Sequence, residues 1–150
     1  MAALLIMDIP LMLADFSSRD VSRIRGACAE VHASWDREAL SKLAVHIQEI
    51  KATTEDIEWG GILINNAVHL HDAIQRMEYA RSNDGCFCRV CDMFDNPERL
   101  QERGHVTINE FAEKQRTFQV SCNECGATYE VEELESHYPW WQWNAKKEQG

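Results

Sequence analysis

Apolar side chains recur along this chain in two rhythms, and the change between them divides it. From Ser17 onward, Val21, Ile24, Cys28, Val31 and Trp35 follow one another at intervals of three and four, the spacing that gathers side chains on one helical face. Ser17 or Ser18 can cap that helix. Trp35, Leu40, Leu43, Ile47 and Ile50 carry a second stripe, and Ser34 before Asp36 and Glu38 marks a fresh helix start. Thr53 to Asp56 and Gly60-Gly61 interrupt the pattern. Leu63, Ala67, Leu70, Ile74 and Met77 then form a third stripe that ends near Asn83-Asp84-Gly85, a turn sequence. The pattern predicts a three-helix bundle over residues 17–84, its stripes burying one another.

Residues 1–16 are an apolar segment expected to pack on this bundle as a strand or short helix. The segment fits a signal peptide poorly, because its first residues lack Lys and Arg and Asp8 and Pro10 interrupt it. It is also too short to span a bilayer. A cytoplasmic location is the default expectation.

Past Gly85 the rhythm shortens. Asn96-Pro97-Glu98-Arg99-Leu100 can open a short helix with Pro at its first position. Thr107 with Glu110 three residues on resembles a capping box, which predicts another helix. Arg116 to Val120 alternates as a strand, Ala127 to Val131 reads as its hairpin partner, and Glu132 to Ser136 as a short helix. The predicted fold class is α+β, a small helical bundle followed by a ribbon over residues 85–137 and an aromatic tail over 138–150.

Composition narrows the function. A 45% hydrophobic fraction is ordinary for a folded domain and too high for disorder. The net charge is −10, and it is evenly spread: residues 1–84 hold 8 basic and 13 acidic side chains, residues 85–150 hold 7 and 12. Generic binding to a phosphate backbone needs clustered Lys and Arg, and no such cluster stands out.

The chemistry lies in the cysteines. Cys88-Arg-Val-Cys91 and Cys122-Asn-Glu-Cys125 are two Cys-x-x-Cys turns of equal spacing. Together they supply the four-sulfur tetrahedral shell that Zn²⁺ prefers, at about 2.3 Å per bond. Gly126 follows the second turn, where the chain needs a left-handed residue, and Asp92 holds the equivalent place after the first. The thirty residues between the pairs exceed the usual spacing of about 15–20. The expected ligands are Cys88, Cys91, Cys122 and Cys125, holding one structural Zn²⁺, which with four thiolates adds two further negative charges. Three disulfides or a thioredoxin-like role compete for the same cysteines. No secretory signal supports the first, and two symmetric turns argue against the second. Cys86 gives the first half a third thiol; it can replace Cys88, sit behind the ligands, or stay uncoordinated. Cys28 reads as a small buried hydrophobe.

The stretch Val120-Ser-Cys-Asn-Glu-Cys-Gly-Ala-Thr-Tyr-Glu-Val, with a Cys-x-x-Cys upstream, resembles a rubredoxin-type zinc ribbon. The likeness covers residues 86 to about 137. Helices followed by such a ribbon, with Glu133-Leu134 past the last strand, are loosely similar to small uncharacterised bacteriophage proteins. This second likeness implies no activity, and zinc ribbons serve many functions.

Other candidates are weaker. His69, His71 and Asp72 lack the spacing of a helical metal motif and read as a solvated face. His105 and His137 flank the cysteines and can each replace a thiolate. No phosphate-binding loop or nucleophile elbow occurs, and a four-cysteine shell leaves no open coordination position, so an enzyme is not expected. Tyr138-Pro-Trp-Trp-Gln-Trp143 holds three of the five Trp residues. These rings can cover the ribbon's small core, dock a partner, or anchor at a membrane interface with Lys146 and Lys147. The expected function is a non-enzymatic accessory or regulatory zinc protein that contacts another protein, one with a basic surface. The alternative is a transcription-related ribbon that binds DNA or RNA.

Overall fold

Three aspartates start the first three helices. In the computed structural model, which describes residues 7–59, 66–82, 85–136 and 138–146, Asp8 accepts the Leu11 N–H at the head of α1 (Ile9–Phe16). Asp20 accepts from Ser22 and Arg23 at α2 (Val21–Ala33), and Asp36 from Ala39 at α3 (Arg37–Ala44). Each cap satisfies a backbone donor that the helix cannot, a contribution of about 1 kcal/mol. The caps are therefore Asp20 and Asp36 rather than the serines expected. Ser18 and Ser34 lie two residues behind, where their hydroxyls accept the backbone N–H of Asp20 and of Asp36.

The stripe from Leu40 to Ile50 belongs to two helices rather than one. α3 stops at Val45, the His46 N–H turns back to the Leu43 carbonyl, and α4 (Ile47–Thr54) begins without a side-chain cap. Val45 and His46 are both mediocre helix formers, and the apolar spacing alone does not register the break. Where three helices were expected over 17–84, four are described, with α5 (Asn66–Ser82) the longest. α1 precedes them as a short helix, with Met12 and Phe16 buried. The expectations that rested on residues 1–6, Gly60-Gly61, Leu63 and Asn83-Asp84 lie outside the described residues.

The chain divides into two compact units, Met1–Phe87 and Cys88–Gly150. In the first, α5 packs against α2 and α3, and α1 against α2. Phe16, Ile24, Val31, Leu40, Leu43, Ile50 and Met77 are fully enclosed. Cys28 joins them, and burial pushes its thiol up to about 12. Arg37 holds the end of α5, donating to the carbonyls of Tyr79, Ala80 and Gly85 while its guanidinium lies 5.4 Å from the Tyr79 ring centroid. Tyr79 in turn donates its hydroxyl to the Cys86 carbonyl at 3.1 Å.

This unit also encloses charge. Arg76 is 1% exposed, and its Nε donates to Asp72 at 2.9 Å, one turn back on α5. His32 Nε2 lies 2.8 Å from the same carboxylate oxygen, and the Arg76 guanidinium also reaches the His32 carbonyl. His69 stacks at an angle on His32 with ring centroids 6.0 Å apart. The expectation of a solvated face therefore holds for the exposed His71 but not for His69, which is half-buried beside this cluster. The i, i+4 pair Asp72 and Arg76 was the overlooked signal, because only a partner of opposite charge lets either residue sit inside.

The second unit is built on a meander. A 3-10 turn (Phe87–Val90) crosses the unit boundary, and α6 (Pro97–Glu102) follows with Asn96 capping Glu98 and Pro97 at its first position, as expected. Then come β1 (Val106–Ala112), β2 (Thr117–Cys122), β3 (Thr128–Glu135) and β4 (Pro139–Ala145), antiparallel and in that order across one sheet. Two expected helices are strands. Thr107 to Ala112 forms most of β1, since Val106, Thr107 and Ile108 are β-branched and the Ile108 N–H is taken by the Gln101 side chain. Glu132 to Glu135 extends β3, because the tail supplies a strand for it to pair with: Glu133 stands opposite Trp141, and Leu134 opposite Trp140. Phe118, Val120, Cys122, Tyr129 and Val131 point to one buried face. Trp141 and Trp143 share that face by register, and Trp140 lies on the other. Among the described residues no helix is long and apolar enough to cross a membrane.

Two outcomes are expected of the helical unit. Arg76→Met strands the Asp72 carboxylate and costs about 3–5 kcal/mol in denaturant unfolding followed by circular dichroism, while Asp72→Leu with Arg76→Met recovers most of it. His69 is held near 4 against an ordinary 6.5, chiefly by burial and then by Arg25 and His32. The folded state thus binds fewer protons than the unfolded chain, so stability is full above about 6.5 and declines as pH falls towards 4. His69→Gln should flatten that decline in a pH series of melting temperatures.

Candidate metal centre

The loop between β2 and β3 is a tight turn that carries Cys122 and Cys125. The Gly126 N–H donates to the Cys122 carbonyl at 3.0 Å, and the Cys122 N–H to the Ala127 carbonyl at 2.8 Å. Closing that turn puts Gly126 at φ +79°, where a side chain would be strained although a Cβ would touch nothing. The Ala127 N–H then points at the Cys125 sulfur from 3.4 Å. Such an N–H···S contact stabilises a thiolate and orients it.

The first turn is built differently. Asp92 does not take the left-handed conformation expected of it; among the described non-glycine residues only Arg19 and Arg116 have positive φ. Instead the Asp92 N–H donates to the Asp95 carboxylate at 2.8 Å, and the Asp95 N–H returns to the Asp92 carbonyl. The Asp95 carbonyl accepts the Trp143 indole N–H at 3.0 Å, and the Met93 carbonyl the Trp141 N–H. The first half is therefore a 3-10 turn followed by a carboxylate-closed turn, tied to β4, rather than a copy of the second knuckle.

This asymmetry decides which sulfurs converge. Cys86, Cys88, Cys122 and Cys125 place their ligand atoms all within 4.8 Å of one another. Cys88 and Cys125 are 3.6 Å apart. A tetrahedron with Zn–S bonds of about 2.3 Å has edges of about 3.8 Å, so four thiolates here fit a single zinc ion. Three of the expected ligands, Cys88, Cys122 and Cys125, belong to the group. Its fourth member is Cys86, and Cys91 is not among the mutually close sulfurs. Cys91 stays in the neighbourhood through its N–H, which donates to the Cys88 carbonyl at 3.2 Å. It also lines an open cavity of about 520 Å³ with Arg89, Gly126, Tyr129, Trp143 and Lys146. The run Cys86-Phe-Cys88 was the signal for Cys86, but regular spacing favoured Cys91.

Tyr129 completes the surroundings. Its hydroxyl lies 2.9 Å from the Cys88 sulfur, and its ring meets Trp143 edge-on at 5.5 Å. Burial, the bond to Cys88 and the neighbouring Cys88, Cys91 and Cys125 all hold the phenol above its usual range. It therefore remains a donor, suited to a sulfur bearing negative charge. None of the six cysteines is in a disulfide. His105 is not a member of the group; its backbone N–H and carbonyl bond to Leu100 and Asn123, and burial lowers its imidazole. His137 lies outside the described residues.

No protein-family model, curated protein or solved structure matches this chain. The chemistry of the cluster is compatible with a zinc-ribbon-like site. Tyr129→Phe should keep the fold and weaken metal retention by about tenfold to a hundredfold, measured by competition with a chromogenic chelator.

Proposed function

We propose that this chain is a non-enzymatic zinc-binding protein in which the ion orders the sheet unit and the protein acts by contacting another protein. The convergence of four sulfurs within 4.8 Å carries the reading, since a closed four-thiolate shell leaves an ion little to do chemically. Four protein thiolates fill a tetrahedral shell and leave no position for a substrate or a reactive water. In this reading zinc replaces the core that a small sheet cannot supply by itself.

The contact reading draws support from charge and from the aromatic strand. A net charge of −10 without a basic cluster disfavours phosphate backbones and suits a partner with a basic surface. Trp140, Trp141 and Trp143 are half-buried in β4, so they brace the sheet and still offer ring area to a partner. Contact without catalysis fits an accessory or regulatory role.

Metal analysis of the purified chain should return one zinc per chain. Chelation should abolish the tryptophan environment of the sheet unit while far-UV circular dichroism keeps its helical signal, because the helices bury one another. Loss of the helical signal as well would show a shared core. Tight, salt-sensitive mobility shifts with mixed DNA and RNA would transfer the reading to nucleic acid.

A further inference from the structure

Sequence spacing and spatial proximity nominate different fourth sulfurs. Cys91 has the same spacing from Cys88 that Cys125 has from Cys122, which is the geometry of a metal knuckle. Cys86 is the one whose sulfur lies with Cys88, Cys122 and Cys125. A tetrahedral ion takes four of these five thiols, and three are common to both sets.

The two contenders sit on opposite flanks of Cys88 and are held by different means. Cys86 is anchored through its backbone, where Tyr79 donates to its carbonyl at 3.1 Å. Cys91 is half-buried in the turn that follows, its N–H on the Cys88 carbonyl, and it borders the cavity beside Gly126 and Tyr129. Tyr129 bonds to Cys88, a ligand in both sets, so its contact survives either choice. The knuckle of Cys122 and Cys125 is likewise indifferent to the choice.

We propose that Cys86 and Cys91 alternate as the fourth ligand of a single ion, giving two interchangeable four-sulfur shells around Cys88, Cys122 and Cys125. This rests on the zinc reading above and adds a function to it, the release of zinc to a chelating acceptor. In the exchange a Zn–S bond to Cys91 forms as the bond to Cys86 breaks. The proton that Cys91 gives up is balanced by the one Cys86 takes from water, and no oxidation state changes. Each swap passes through a moment when one position is weakly held, and the cavity beside Cys91 lets an outside ligand enter then. An ordinary four-cysteine shell has no such internal competitor.

The test uses the full chain and zinc itself, with Cys86→Ser, Cys91→Ser, the double variant of these two, and Cys122→Ser with Cys125→Ser as a control. Each single variant should retain one zinc per chain, and with Co²⁺ each should show the absorption of a four-thiolate site. The double variant should weaken retention by at least about a hundredfold. Transfer of zinc to a chromogenic chelator should be about tenfold faster from the wild-type chain than from either single variant. Loss of zinc from one single variant would make that cysteine a fixed ligand and overturn the alternation. Full retention by the double variant, or equal transfer rates in wild type and single variants, would overturn it too. Full retention of zinc by the Cys122→Ser, Cys125→Ser variant, which keeps only three of the five thiols, would instead refute the zinc site itself, so the two failures are distinguishable.

Discussion

Mutual repulsion among thiolates is the constraint on which the sheet unit turns. Four sulfurs within 4.8 Å of one another make poor company without a cation, since ionised they repel and protonated they form only weak hydrogen bonds. A divalent ion reverses the sign of that energy. Its demands then explain features that otherwise look unconnected: a left-handed glycine at 126, an N–H aimed at Cys125, and a phenol kept protonated against Cys88. The glycine closes the turn that carries two of the sulfurs, and the other two features stabilise negative charge on sulfur without supplying another ligand.

The helical unit meets a similar problem with its own residues. Asp72 and Arg76 are buried on adjacent turns of α5, with His32 against the same carboxylate. Such a group gains little net stability over well-packed apolar side chains, yet it penalises any packing that separates its members. Here it links α5 to α2, because Arg76 also reaches the His32 carbonyl. The geometry of that helix pair is thus specified by charge as well as by shape.

Most of the helical half was legible in the chain because its cores are continuous stripes: Ile24, Cys28 and Val31 on α2, and Leu70, Ile74 and Met77 on α5, are buried as their spacing implies. Boundaries were less so. Asp20 and Asp36 cap where serines were also available, and the break at Val45-His46 leaves the apolar period undisturbed. The sheet half was legible only around its knuckles. A capping-box pattern at Thr107 to Glu110 is a local preference, and pairing with β2 outweighs it. β4 was hidden because tryptophans read equally as tail, anchor or strand until Glu133 and Leu134 provide a partner. The cysteine cluster was visible in type and place. Its membership was not, because spacing describes a turn's ideal form while Asp92 closes the first turn with Asp95 instead.

The meander has a bearing on how the sheet unit assembles. Every strand pairs with its neighbour in the chain, so each hairpin can close locally, on the scale of about 1–10 μs. The sulfurs obey no such locality: Cys88 and Cys122 are 34 positions apart, and bringing them together closes a loop that includes α6 and β1. Hairpin formation by itself pairs Cys122 and Cys125 but leaves that loop open. An ion arriving early therefore meets a two-sulfur knuckle, and its capture of the upstream thiols meets the closure entropy that strand pairing leaves unmet. A metal bound there would act on the order of folding, joining distant parts of the chain after neighbouring ones have found each other.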